Sequence, residues 1–137
     1  MLAAACAVAL AAAGCGGSSY KDDLGSAENQ FKKTLKGSVA KIQAATTKSQ
    51  YAAGVTEFQG AIRTLERRLR SLDPPSDARA AQARLLSTLD TLSRDLSSVL
   101  RAVDSGDIEK VRSLQSRYLR DLGAVQSAGK ALHAKAG

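Results

Sequence analysis

The chain is predicted to fold as an all-α protein, an antiparallel up-down-up-down four-helix bundle. After Ser19, apolar residues recur at alternating intervals of four and three through most of the sequence. That spacing stacks side chains along one stripe of a helix. Trp is absent, Pro occurs twice, and three Tyr and two Phe are scattered along 137 residues, a composition that argues against a β-sandwich. The breaks between the periodic stretches are short, and short connections force consecutive helices to fold back on one another.

The first helix offers Leu24, Phe31, Leu35, Val39 and Ile42, with Ser19 and Asp22 resembling a capping box at its start. The second is the most regular, with Tyr51, Val55, Phe58, Ile62, Leu65, Leu69 and Leu72 in heptad register behind a Thr47/Gln50 capping box. Asp73-Pro74-Pro75-Ser76 ends it, because proline disfavours helical geometry in the preceding residue and lacks an amide donor; Ser76 is placed to cap the third helix. There Leu85, Leu89, Leu92, Leu96, Leu100 and Val103 form the seam, which Leu86 and Val99 widen. Asp104-Ser105-Gly106-Asp107 supplies a left-handed stop at Gly106 and an N-cap at Asp107. The fourth helix carries Ile108, Val111, Leu114, Tyr118, Leu122, Val125 and Leu132. The first helix is the least regular, so a three-helix bundle with a loosely attached first helix is the alternative architecture.

The sequence before the bundle has a different character. Residues 1–15, Met-Leu-Ala-Ala-Ala-Cys-Ala-Val-Ala-Leu-Ala-Ala-Ala-Gly-Cys, hold no charge and run through small apolar residues to Cys15. This reads as the apolar core and cleavage zone of an export signal. The segment Ala12-Ala13-Gly14-Cys15 resembles the lipobox of bacterial lipoproteins, in which the cysteine is acylated and becomes the mature N-terminus. Two features depart from the pattern: no Lys or Arg precedes Lys21, and Ala12 stands where a larger aliphatic residue is usual. With the Ala- and Arg-rich composition and the Leu-Asp-Pro-Pro hairpin, the chain is similar to the small helical lipoproteins of high-GC bacteria.

That resemblance implies residues 1–14 as signal peptide, lipidation at Cys15, residues 15–18 as a flexible tether and residues 19–137 as the bundle domain. It also implies a location at the extracytoplasmic face of a bacterial membrane. As a helix, residues 1–14 would reach about 21 Å, short of the roughly 30 Å hydrocarbon core, so attachment would depend on the lipid. Cys6 lies inside the signal; a Cys6–Cys15 disulfide would close a small loop of alanines and staple no core. The remaining 120 or so residues, in a chain 44% hydrophobic and 24% charged, suffice for one domain with a real core.

Catalytic chemistry has little to work with. His133 is the one histidine, close to the chain end, where a cation favours a helix C-terminus. The Glu-x-x-His pairs of bundle di-iron sites, the Cys-x-x-Cys-His of a c-type haem and the Gly-Lys-Ser/Thr of a phosphate loop do not occur. Asp22-Asp23 and Asp104/Asp107 sit at helix starts, where capping and the helix dipole account for them. The expectation is a protein without catalysis, metal or cofactor.

The net charge of +7 leaves three basic clusters: Lys32, Lys33 and Lys36; Arg63, Arg67 and Arg70; Arg112, Arg117 and Arg120. They are candidate contacts to anionic lipid or an acidic envelope polymer, or else a solvated exterior partly neutralised by pairs such as Glu66 with Arg70. Nucleic acid is not expected, because Phe31, Tyr51, Phe58 and Tyr118 fall on the core stripes and leave no stacking platform beside the charge. The functional expectation is a binding or structural role at the cell envelope. The alternative is an interaction module whose bundle groove takes a partner helix or a small apolar ligand, with Gly37, Gly123 and Gly129 permitting close approach.

Overall fold

A computed structural model describes residues 17–137 as four helices: α1 Gly17–Ala44, α2 Lys48–Ser71, α3 Arg79–Ser105 and α4 Ile108–Lys135. The expected signal peptide and Cys15 lie outside the described residues. Short turns join the helices into an antiparallel four-helix bundle. α1 packs along α2, α4 along α3, and the two hairpins meet through α2 and α3. The first helix is part of the bundle, with Tyr20, Leu24, Ala27 and Phe31 buried, so the three-helix alternative does not apply.

Local chemistry sets most of the helix ends. Thr47 Oγ1 accepts from the Gln50 amide at 3.2 Å while Gln50 Oε1 accepts from the Thr47 amide at 3.3 Å, the reciprocal box read from the sequence. Gly106 takes φ 74°, and its amide reaches back to the last turn of α3. Asp107 then caps α4 by accepting from the Lys110 amide at 2.9 Å.

Two expected caps are not made. Ser19 lies inside α1, where its hydroxyl reaches Asp23 rather than forming a box with Asp22. A short 3-10 helix, Ser76–Ala78, separates the proline turn from α3, and Ser76 Oγ donates to Asp77 Oδ1 at 3.3 Å instead of capping. The Ala78 amide bonds the Pro75 carbonyl at 2.9 Å. Because that turn closes with backbone groups alone, the first orphan donor needs no serine.

The core follows the predicted stripes. Val55, Phe58, Ile62, Leu65 and Leu69 from α2 interleave with Leu85, Leu89, Leu92, Leu96 and Val99 from α3, all buried. Leu114, Tyr118, Val125 and Leu132 close it from α4. Ile108 departs from the prediction, being 61% exposed at the first residue of α4, where no helix covers it. Alanines complete the core: Ala27, Ala61, Ala102, Ala128 and Ala136 are buried with it.

Close approach also selects one glycine, and it is not among the three expected. A Cβ on Gly37 or Gly123 would meet nothing within 4 Å, whereas on Gly54 it would sit 2.7 Å from Ile42 Cγ1 and 3.2 Å from the Ile42 nitrogen. Gly54 therefore sets how tightly α2 can lie against the end of α1. Gly54→Ala is expected to destabilise the bundle, because overpacking costs about 1–3 kcal/mol and exceeds the gain of up to about 1 kcal/mol from replacing a helical glycine. Gly123→Ala has only the gain. Denaturation midpoints of the two variants should move in opposite directions, and a shared direction would remove the packing role of Gly54.

Candidate functional site

Three of the four helix seams close, and the fourth does not. Along most of their length the backbones of α1 and α4 stay apart. Between them runs a groove of about 370 Å³, with Phe31 and Leu35 on one wall, Leu122 and Val125 on the other and Leu65 and Leu85 as its floor. Its volume lies in the range of small-molecule sites, about 300–1,000 Å³. The groove opens because α1 loses its partner: Leu35, Val39 and Ile42 are only half-buried. On the facing helix Ile108 and Leu119 are exposed. A shallow strip lined by Leu35, Lys36, Val39 and Gln43 extends the apolar surface along α1.

One end is latched. His133 Nε2 lies 2.6 Å from Glu28 Oε2, the only side-chain hydrogen bond between α1 and α4 among the described residues. Gly129 lies beside this pair, where a Cβ would make ordinary contact with Glu28 Oε1 at 3.4 Å, so close approach does not require glycine there. Of the three glycines singled out from sequence, this one lies at the groove. His133 is not at a fraying end: Leu132 and Ala136 on either side are fully buried. Nothing in the local sequence announced the pair, because its members are 105 positions apart.

The rim of the groove is polar and basic. Lys32 from α1 and Lys130 and Gln126 from α4 line it, all exposed. Neither lysine takes part in an ion pair among the described residues. Two lysines against the one carboxylate of Glu28 leave a positive excess over an apolar floor.

The three basic clusters are not gathered into one patch. Lys32, Lys33 and Lys36 are exposed on α1, with Lys32 at the groove and Lys36 on the strip beyond it. Arg63, Arg67 and Arg70 are exposed on α2. The Glu66–Arg70 pair read from sequence does not close as an ion pair; the four-residue pair that does is Asp90–Arg94, at 2.7 Å. Burial raises the Glu66 pKa, the Arg70 charge opposes the rise, Asp90 adds to it and Arg63 opposes it. On α4, Arg112 is tied to Glu109 at 3.1 Å and Arg117 to Asp95 at 2.9 Å, while Arg120 lies near Asp121.

Asp95 and Asp121 form a carboxyl pair between α3 and α4 that the sequence did not suggest. Asp95 is buried, and the Oδ2 atoms of both carboxyls are buried without a hydrogen-bond donor, although Arg117 Nε sits beside Asp95 Oδ2. A proton on one carboxyl lets it donate to the other. Desolvation raises the Asp121 pKa above its ordinary 3.8, as do the hydrogen bond to Asp95 and its charge, while Arg117 and Arg120 pull it down. Asp121 thus holds its proton more tightly folded than unfolded. Its contribution to stability is full below the unfolded value and is lost as pH rises through the raised folded value. Asp121→Asn is expected to melt higher than wild type at neutral pH and to converge with it below pH 3.8. Melting curves that differ equally at both pH values would remove the titration of Asp121 as the cause.

Among the described residues, no group of three or more His, Cys, Asp or Glu could hold a metal ion, and no helix is long and apolar enough to cross a membrane. The fold and the groove define a four-helix bundle with one open seam. No protein-family model, curated protein or solved structure matches this chain.

Proposed function

We propose that this chain is an exported, lipid-anchored binding protein of the bacterial cell envelope, held at the extracytoplasmic face by a lipid on Cys15 and acting without catalysis through its open α1/α4 seam. The observation that carries the binding role is the groove itself. Six apolar side chains line a concavity between helices that would otherwise close on one another. An uncovered apolar face is unfavourable in water, so a bundle that retains one is suited to covering it with a ligand.

The anchoring half rests on Ala12-Ala13-Gly14-Cys15, which ends two positions before the first residue of α1. A short lead into α1 would hold the bundle near the membrane surface, where anionic lipid or an acidic polymer lies within reach of the exposed lysines and arginines. Metabolic labelling with a fatty-acid analogue is expected to tag the wild-type chain and to miss Cys15→Ser. Equal labelling of the two would refute lipidation at Cys15.

The closely filled interior between α2 and α3 favours a structural role in the same setting as the second reading, since Phe58, Ile62, Leu89, Leu92 and Leu96 are fully buried. The two readings differ at the groove, because a structural component needs nothing bound there.

A further inference from the structure

We infer that the occupant of the α1/α4 groove is an anionic single-chain amphiphile, an acyl chain carrying one acidic head group. The inference rests on the groove being a binding site and adds the chemistry of its ligand. Lys32 from α1 and Lys130 from α4 both line the groove, both exposed and neither in an ion pair among the described residues. The one carboxylate in the lining, Glu28, is already engaged by His133 at 2.6 Å. A negative head between the lysines meets two cations outside any ion pair, whereas a positive head meets their repulsion and finds one carboxylate, Glu28, with an oxygen already hydrogen-bonded to His133.

The tail has a path of its own. From the lysines it runs between Leu35 and Leu122 and along the strip at Val39. The groove is continuous with half-buried apolar surface in that direction and latched by Glu28–His133 at its other end. A linear chain with its charge at one end matches this arrangement. A partner helix matches it less well, because it would carry polar groups along its whole length into a groove that is polar only at the rim.

The test uses the full chain with Cys15→Ser, so that no anchor lipid competes, and three probes sharing one tail: dodecanoate, dodecyl maltoside and dodecyltrimethylammonium, each below its micelle concentration. Binding is followed through the methyl resonances of Leu35, Leu122 and Val125. Dodecanoate should bind most tightly, by about tenfold over the cationic probe, with a preference that shrinks as salt screens the exposed lysines. Lys32→Glu with Lys130→Glu should reverse the order. Gln126→Trp, which covers the groove mouth from an exposed position, should weaken all three while leaving the melting temperature near that of wild type. Equal affinity for the three probes overturns the head-group inference and leaves the groove as an apolar site. Undiminished binding to Gln126→Trp places the amphiphile elsewhere and overturns it too. Binding of none of the probes overturns both the inference and the binding role proposed for the groove.

Discussion

Ile62→Asp is expected to unfold the bundle. Ile62 is fully buried in the middle of α2, where Phe58 and Leu65 of its own stripe meet the leucines of α3. A carboxylate introduced there loses its hydration and gains no cation, and an unpaired buried charge costs about 3–5 kcal/mol in addition to the lost apolar burial. Domains of this size have only about 5–15 kcal/mol of stability in total. The control is Arg67→Glu, on the exposed side of the same helix, which should stay within about 0.5 kcal/mol of wild type. Circular dichroism on heating separates the two: coincident melts would mean that the α2 stripe does not face the core.

Gln82→Leu is expected to cost about 2–3 kcal/mol, although it replaces a polar residue by an apolar one inside the protein. The Tyr20 hydroxyl donates to Gln82 Oε1 at 2.7 Å, and Gln82 Nε2 donates to the Leu69 carbonyl at 2.9 Å. One amide thus ties α1 to α3 and gives a carbonyl in the last turn of α2 a second donor. That carbonyl keeps the Leu72 amide at 3.2 Å, so the larger loss falls on the Tyr20 hydroxyl, left buried without a partner. Burial, and then the nearby Glu28 charge, raise the Tyr20 pKa, so the hydroxyl stays protonated and needs an acceptor. Adding Tyr20→Phe removes the orphaned group, and the double variant should recover part of the loss. Chemical denaturation of the two single variants and the double tests this; strictly additive losses would mean that the bond does not couple α1 to α3.

The helices were legible because each is specified by its neighbours in sequence. The stripe Val55, Phe58, Ile62, Leu65 and Leu69 and the box at Thr47 and Gln50 are short-range patterns, and the structure retains them. Where the short-range pattern and the structure differ, the cause is local: the backbone closes the turn at Ser76 without its hydroxyl, and Ser19 lies within α1, where its hydroxyl reaches Asp23. The candidate site had no such signal. Glu28 and His133 are far apart in sequence and sit in unremarkable helical positions, and so do Asp95 and Asp121. Glu28 and Asp95 read as exposed charges until a second helix covers them. Gln59 was equally silent, yet it reaches from α2 to Ser97 Oγ of α3 at 2.8 Å.

The sequence by itself determined the number of helices, their connections and the faces they bury, because apolar spacing and turn chemistry act within a few residues of one another. Only the tertiary structure decided how far each seam closes. α1 and α2 close on the bare backbone of Gly54, α3 and α4 close over Asp95 and Arg117, and α1 and α4 stay open beyond Glu28–His133. The separation of two helices is set by side-chain volumes summed over every packed seam of the bundle, and no local pattern in α1 or α4 carries that sum.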